Sequence, residues 1–178
     1  MIESFNGKKP RIHKTAFVHP SAVIIGDVVI GEHSSVWPGA VIRGDFGRIR
    51  IGRYTCIQDN AVVHVGDFYD KKKPDYYPVR IGNHVIVGHH ALVHGCVIED
   101  QCVIGGGATV FNGARVRKGA LVGMGSVVLR DVEVPSKTIV VGIPARPLRK
   151  LSNEEFERNR TQAKHYAKLA RAYLRSSR

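Results

Sequence analysis

A strict six-residue period runs through most of this chain and limits what it can fold into. Ile12, Val18, Ile24, Ile30, Val36 and Ile42 follow one another at intervals of six. The rhythm resumes at Ile51, Ile57 and Val63, again at Ile81, Val87 and Val93, and then runs unbroken from Ile98 to Val140. These are twenty hexads, each led by Ile or Val, and the residue four places on is mostly small (Ala22, Ala40, Cys102, Ala108, Ala114, Ser126). An α-helix repeats every 3.6 residues and a coiled coil every seven, so neither fits. The strands of a β-sandwich recur at 8–12 residues with alternating polarity, which is also missing. Six residues do suit one short strand and one corner of a β-solenoid, with β-branched residues inside and small ones where the chain turns. Three hexads per coil give a triangular solenoid of about seven coils. Glycines just after the leads (Gly26, Gly31, Gly52, Gly82, Gly105, Gly123) are expected to supply corner flexibility.

The remainder reads differently. Ser152-Asn-Glu-Glu155 is a capping box, with Leu151 and Phe156 placed as a hydrophobic staple. Phe156, Ala163, Ala167, Ala170 and Leu174 then mark one apolar helical stripe lying back on the solenoid. The expected organisation is a mainly β repeat body over 1–147 and a C-terminal α-helix over 148–178, forming one structural domain. Of the formal charge of +12, residues 146–178 contribute +7, from ten Lys/Arg and three Glu. The charge thus belongs largely to a solvated helix, and no nucleic-acid motif accompanies it. The polar N-terminus, the lack of an apolar run of roughly 18 residues and three scattered cysteines predict a cytoplasmic protein that neither binds a membrane nor relies on disulfides.

The hexads are interrupted after Arg43 and over Gly66–Val79, and the histidines cluster there: His64, His89, His90 and His94. His64 and His94 each follow the third lead of a coil (Val63 and Val93). If the 66–79 loop leaves at that corner, they stack on adjacent coils, roughly 4.8 Å apart, within reach of one metal ion. His89 is two residues past Val87, on the neighbouring face, and points away from the pair within one chain. In a threefold trimer a neighbouring subunit can bring it in. His90 is the alternative, on the opposite side of its strand. His13, His19, His33, His84 and His165 lack this phasing and read as surface residues.

With the repeat and these motifs together, VIRGDFGRIRIG (41–52), IQDNAVVH (57–64) and VGHHALVHGC (87–96), the chain resembles the γ-class carbonic anhydrases. That resemblance implies a left-handed parallel β-helix, a homotrimer, and Zn²⁺ (or Fe²⁺ or Co²⁺) held between subunits. His64 and His94 would come from one chain and His89 from the next. It also implies an interface pair Arg43–Asp45 near the metal, and Gln58, with Asp59 beside it, orienting a metal-bound hydroxide. Tyr166 would lie near the site. The expected reaction is reversible hydration of CO₂ to bicarbonate. Asp67, three residues after His64, is the first candidate for carrying protons out, and Tyr166 the second. The departures from the family pattern are Phe46, where members carry a Glu, Cys56 in place of an Asn, a short acidic loop, and Lys168 where some members have an Asn. These motivate one rival reading, a metal-binding assembly subunit with little hydratase activity; a second rival, a hexapeptide-repeat acyl-CoA transferase or thioesterase, rests on the repeat that many transferases share and on the basic C-terminal region.

Overall fold

The computed structural model describes residues 1–67 and 76–176. It is a parallel β-solenoid of about seven turns followed by one α-helix, Asn153–Ser176. Each coil contributes one short strand to each of three faces. The first face stacks Phe17–Val18, Ser35–Val36, Cys56–Ile57, Ile86–Val87, Val103–Ile104, Leu121–Val122 and Thr138–Val141 in parallel register. Val62–His64, Leu92–His94, Thr109–Val110 and Val127–Val128 build the second, beneath the first halves of Val23–Ile30 and Val41–Ile51. Those two long strands bend round a corner, and their second halves open the third face, continued by Val79–Ile81, Val97–Ile98, Arg115–Val116 and Glu133–Val134.

The hexad leads form the core. All except the first two, Ile12 and Val18, are buried. Each buried Ile or Val contributes about 1.5–3 kcal/mol of transfer free energy, so the ladder of leads holds the coils together. The small partners four places on fill the corners: Ala22, Ala40, Ala61, Ala91, Cys102, Ala108, Ala114 and Ala120 are all inaccessible.

Most of the glycines next to the leads serve a different purpose from the one expected. A Cβ on Gly31 would stand 2.7 Å from the Gly52 carbonyl, and one on Gly52 2.6 Å from that of Gly82. These residues lack a side chain because the coils stack there. The left-handed conformation falls two residues later, at His33, Tyr54, Asn60, His84 and His90 among others. Two histidines read as surface residues are also more enclosed than expected. Tyr54 lies between His33 (4.8 Å) and His84 (5.1 Å) in a ring ladder down one corner, and Nδ1 of each histidine is buried.

The helix crosses the first face. Its 24 residues span about 36 Å, close to the height of seven coils at about 4.8 Å each. It starts beside Gly119 and Lys137, donates from Asn159 Nδ2 to the Gln101 carbonyl (3.3 Å), and ends with Tyr173 against Phe17 and Trp37. The face it buries is Asn159, Ala163, Ala167 and Ala170, whereas Leu174, expected in that stripe, is exposed. Between solenoid and helix, Arg146–Lys150 pairs antiparallel with Thr138–Val141, so the sheet continues past residue 147.

Candidate metal centre

The sequence-selected residues fall at two corners of the triangle, at opposite edges of the second face. At the corner between the second and third faces, Arg43, His64 and His94 are direct register partners on three successive coils. The phase argument for His64 and His94 is therefore realised: His64 Nδ1 faces His94 Nε2 at 3.2 Å.

The hydrogen bonds around this pair fix what the two nitrogens present. Asp45 is ionised: burial raises its carboxyl pKa, but hydrogen bonds from the Phe46 amide, Arg43 and His64, with the Arg43 charge, outweigh that and lower it. A carboxylate only accepts, so His64 donates its Nε2–H to Asp45 Oδ1 (3.2 Å). His94 donates its Nδ1–H to Asn112 Oδ1 (2.6 Å), while Asn112 Nδ2 donates to the Asp67 carbonyl (3.3 Å) and so fixes the amide's orientation. With both imidazoles neutral, two lone pairs face each other, an arrangement that calls for a cation between them. Burial, then the Arg43 charge, lowers the His64 pKa, which disfavours a proton in that role. Two ligands on a tetrahedral Zn²⁺ stand about 3.3 Å apart, so the donor set fits a metal ion.

Rings enclose the pair. Phe46 meets His64 edge-on at 5.3 Å, and Phe111 stacks on His94 at 5.3 Å and 16°. Phe46 itself remains 46% exposed. Asn112, which the sequence reading missed, is completely buried; a Cβ on Gly66 or Gly95 would strike its side chain at 2.2 or 2.7 Å. Its only sequence signal is position, because it follows Phe111 in the ladder that carries His64 and His94. Asp67 pairs with Tyr76 where the chain leaves the coil, and the middle of the expected 66–79 loop lies outside the described residues.

The other corner, between the first and second faces, holds Gln58, Asp59, His89 and Tyr166. His89 stacks above Asp59, with Nδ1 3.0 Å from Oδ2, and its backbone N–H donates to Gln58 Oε1 (3.1 Å). Gln58 is buried and the His89 side chain is largely exposed. The diagonal helix delivers Tyr166 to this corner, 6.0 Å from the Trp37 ring. Burial, then Cys56 and Asp59, raises the Tyr166 phenol pKa against a hydrogen bond with Gln58. Cys56, in place of the family's Asn, lies under the helix, accepting from Trp37 Nε1 at 3.1 Å; burial raises its thiol pKa to about 12. His90 turns outward in the left-handed conformation. Among the described residues of one chain, no three His, Cys, Asp or Glu converge on an ion position.

Comparison with known proteins places this geometry. Residues 9–44 match the family model "Bacterial transferase hexapeptide (six repeats)", and residues 78–110 and 95–130 match "Hexapeptide repeat of succinyl-transferase". Gamma carbonic anhydrase 1, a mitochondrial protein of Arabidopsis thaliana, is 44% identical over 93% of this chain. The chain spans 60% of that relative's length. A probable carbonic anhydrase of Methanocaldococcus jannaschii is 42% identical over 89% of this chain and 95% of its own. Among solved structures, a hexapeptide transferase family protein from Anaplasma phagocytophilum superposes with a TM-score of 0.89 at 35% identity, covering 97% of each chain.

Proposed function

Since the chain belongs to the γ-class carbonic anhydrase family of hexapeptide-repeat proteins, we propose that it catalyses the reversible hydration of CO₂ to bicarbonate at metal sites formed between the subunits of a homotrimer. The observation that carries this reading is the pair of opposed imidazole lone pairs on His64 and His94, each fixed from behind by a hydrogen bond to Asp45 or Asn112.

His64 and His94 of one subunit, with His89 of the next, would hold the ion. Zn²⁺ suits three imidazoles, and Fe²⁺ or Co²⁺ would also serve. When bound, such an ion acts as a Lewis acid that lowers the pKa of water to about 7. The chain's own groups do the rest. Gln58 Oε1 is occupied by the His89 N–H and one amide hydrogen meets the Tyr166 oxygen, so the other amide hydrogen would donate to an oxygen of CO₂ or bicarbonate. Phe46 and Phe111 flank the imidazoles and keep water off an apolar approach suited to CO₂. Arg43 holds Asp45, and Asp59 holds His89. Asp67, beside the His64–His94 corner, would carry a proton outward. Tyr166, its phenol pKa raised, keeps its proton at neutral pH and serves as a donor.

The surface also supports a trimer. The outward residues of the second face are Val23, Val41, Val62, Leu92, Thr109 and Val127, a mainly apolar, half-exposed stripe that no described element covers. With both corners at the edges of that face, a threefold arrangement brings one subunit's His64–His94 corner to its neighbour's His89 corner.

Intersubunit complementation tests this. His64→Ala and His89→Ala proteins, loaded with Zn²⁺, Co²⁺ or anaerobic Fe²⁺, are each expected to be inactive in stopped-flow CO₂ hydration. Co-refolded in equal amounts, they should recover about a quarter of parental activity, the fraction of interfaces that pair two intact corners. No recovery alongside an active parent would refute the shared site. A metal-loaded parent that is inactive would instead support an assembly or binding role.

A further inference from the structure

A second site lies on the third face, around arginines that the proposed reaction does not use. Arg50 and Arg80 are direct partners across adjacent parallel strands, and Arg11 is two strands away at the same outward position. Like charges stacked at one coil spacing are destabilising, and the charge of Asp27 offsets them only in part. The carboxylate nearby, Asp27, is bound to Arg48 Nε at 2.9 Å and stands 3.8 Å from Arg50 Nη1, beyond hydrogen-bond range. Arg50 Nη1 is consequently buried without a hydrogen-bond partner, although the side chain as a whole is 34% exposed. Burial, then the charges of Arg48, Arg11 and Arg80 against that of Asp27, makes its protonated form less favourable than usual.

A cavity of about 380 Å³ opens over these groups, lined by Arg48, Arg50, Arg80, Tyr76, Pro78 and Val79, with no carboxylate among the described residues of its wall. Tyr76 is set in place by Gly47, where a Cβ would stand 2.4 Å from its ring. Guanidinium forks match phosphate oxygens in pairs, and three clustered cations suit a dianion better than a monoanion. The volume exceeds what a phosphate fills and falls within the range of small-molecule pockets.

The geometry points to a phosphate-binding site here, with Arg48, Arg50 and Arg80 gripping a phosphoryl group and Tyr76 and Pro78 offering a flat wall to whatever carries it. The phosphoryl group belongs either to free phosphate or to a phosphorylated metabolite. This goes beyond the hydratase reading and involves none of its residues.

The test uses the full chain and needs neither metal nor turnover. Inorganic phosphate should raise the melting temperature by several degrees more than sodium chloride at equal ionic strength. Arg80→Gln should raise the melting temperature without phosphate, by relieving the like-charge stack, and abolish the phosphate-specific shift. Arg50→Gln should weaken calorimetric phosphate affinity at least about tenfold. Arg115→Gln, on the same face but paired with Glu99, should leave binding unchanged. Adenosine monophosphate binding more tightly than phosphate identifies a phosphorylated metabolite, and equal binding identifies free phosphate. The proposal is overturned if the shift persists in Arg80→Gln, if Arg115→Gln loses it equally, or if bicarbonate binds more tightly than phosphate.

Discussion

At the scale of single residues, the ladder at one corner separates what the sequence displays from what it hides. His64 and His94 were legible because the hexad phase, with the 66–79 loop leaving at that corner, stacks them on neighbouring coils. Asn112 was not, because within Phe111-Asn-Gly113 it looks like an ordinary turn residue. Its role depends on reaching over Gly66 and Gly95, which are remote from it in sequence. Asn112→Leu should remove the acceptor that fixes the His94 tautomer and weaken metal binding about 10–100-fold. Asn112→Asp, which keeps an acceptor, should bind more tightly than the Leu variant. Co²⁺ titration followed by visible absorption measures both, and equal affinities in parent and Leu variant would remove the positioning role.

At the scale of elements, the C-terminal helix shows a start that local chemistry sets and a face that packing selects. The capping box forms as read: Ser152 N–H donates to Glu155 Oε2 (2.8 Å), and Glu155 N–H donates to Ser152 Oγ (3.1 Å). Arg149 adds two further bonds to the same carboxylate. The Arg149 hydrogen bonds, then that from Ser152, lower the Glu155 pKa from 4.5 to about 2. The folded-state value is depressed, so this contribution is complete above pH 4.5 and disappears as the pH falls towards about 2. The protection of amides at residues 152–156, taken relative to the intrinsic exchange rate at each pH, should therefore fall across that window before the solenoid unfolds. Protection that stays constant to pH 2 would contradict the cap's role. Ser152→Ala should cost about 1 kcal/mol in thermal unfolding. The expected Leu174 contact failed because periodicity marks a stripe but not where the supporting face ends. Asn159 took a buried place through its bond to the Gln101 carbonyl.

At the scale of the whole molecule, the three faces have three fates. The helix covers the first, the third carries arginines, and the second is left apolar and open, with Val62 36% exposed near its middle. Burying such a stripe drives assembly. Val62→Lys should convert the proposed trimer to monomers in light-scattering mass measurements, and any metal held between subunits should be lost with it, since neither corner alone offers three ligands. A trimer that retains its mass would show that another surface assembles it. The basic charge also looks different in three dimensions. Besides the helix that carries the tail's +7, the fold gathers a second basic cluster from Arg11, Arg48, Arg50 and Arg80.

The sequence by itself determined the solenoid, its triangular section, the start of the helix and the two stacked histidines. Each follows from a regular spacing or a contact between near neighbours, and a period of six leaves one way to bury every lead. Only the tertiary structure decided which residues meet across coils and faces. It brought Asn112 behind His94, laid the helix diagonally so that Tyr166 reaches Gln58, and stacked Arg50 on Arg80. These contacts join positions separated by a coil or more, and their cost or gain exists only once the backbone register is set.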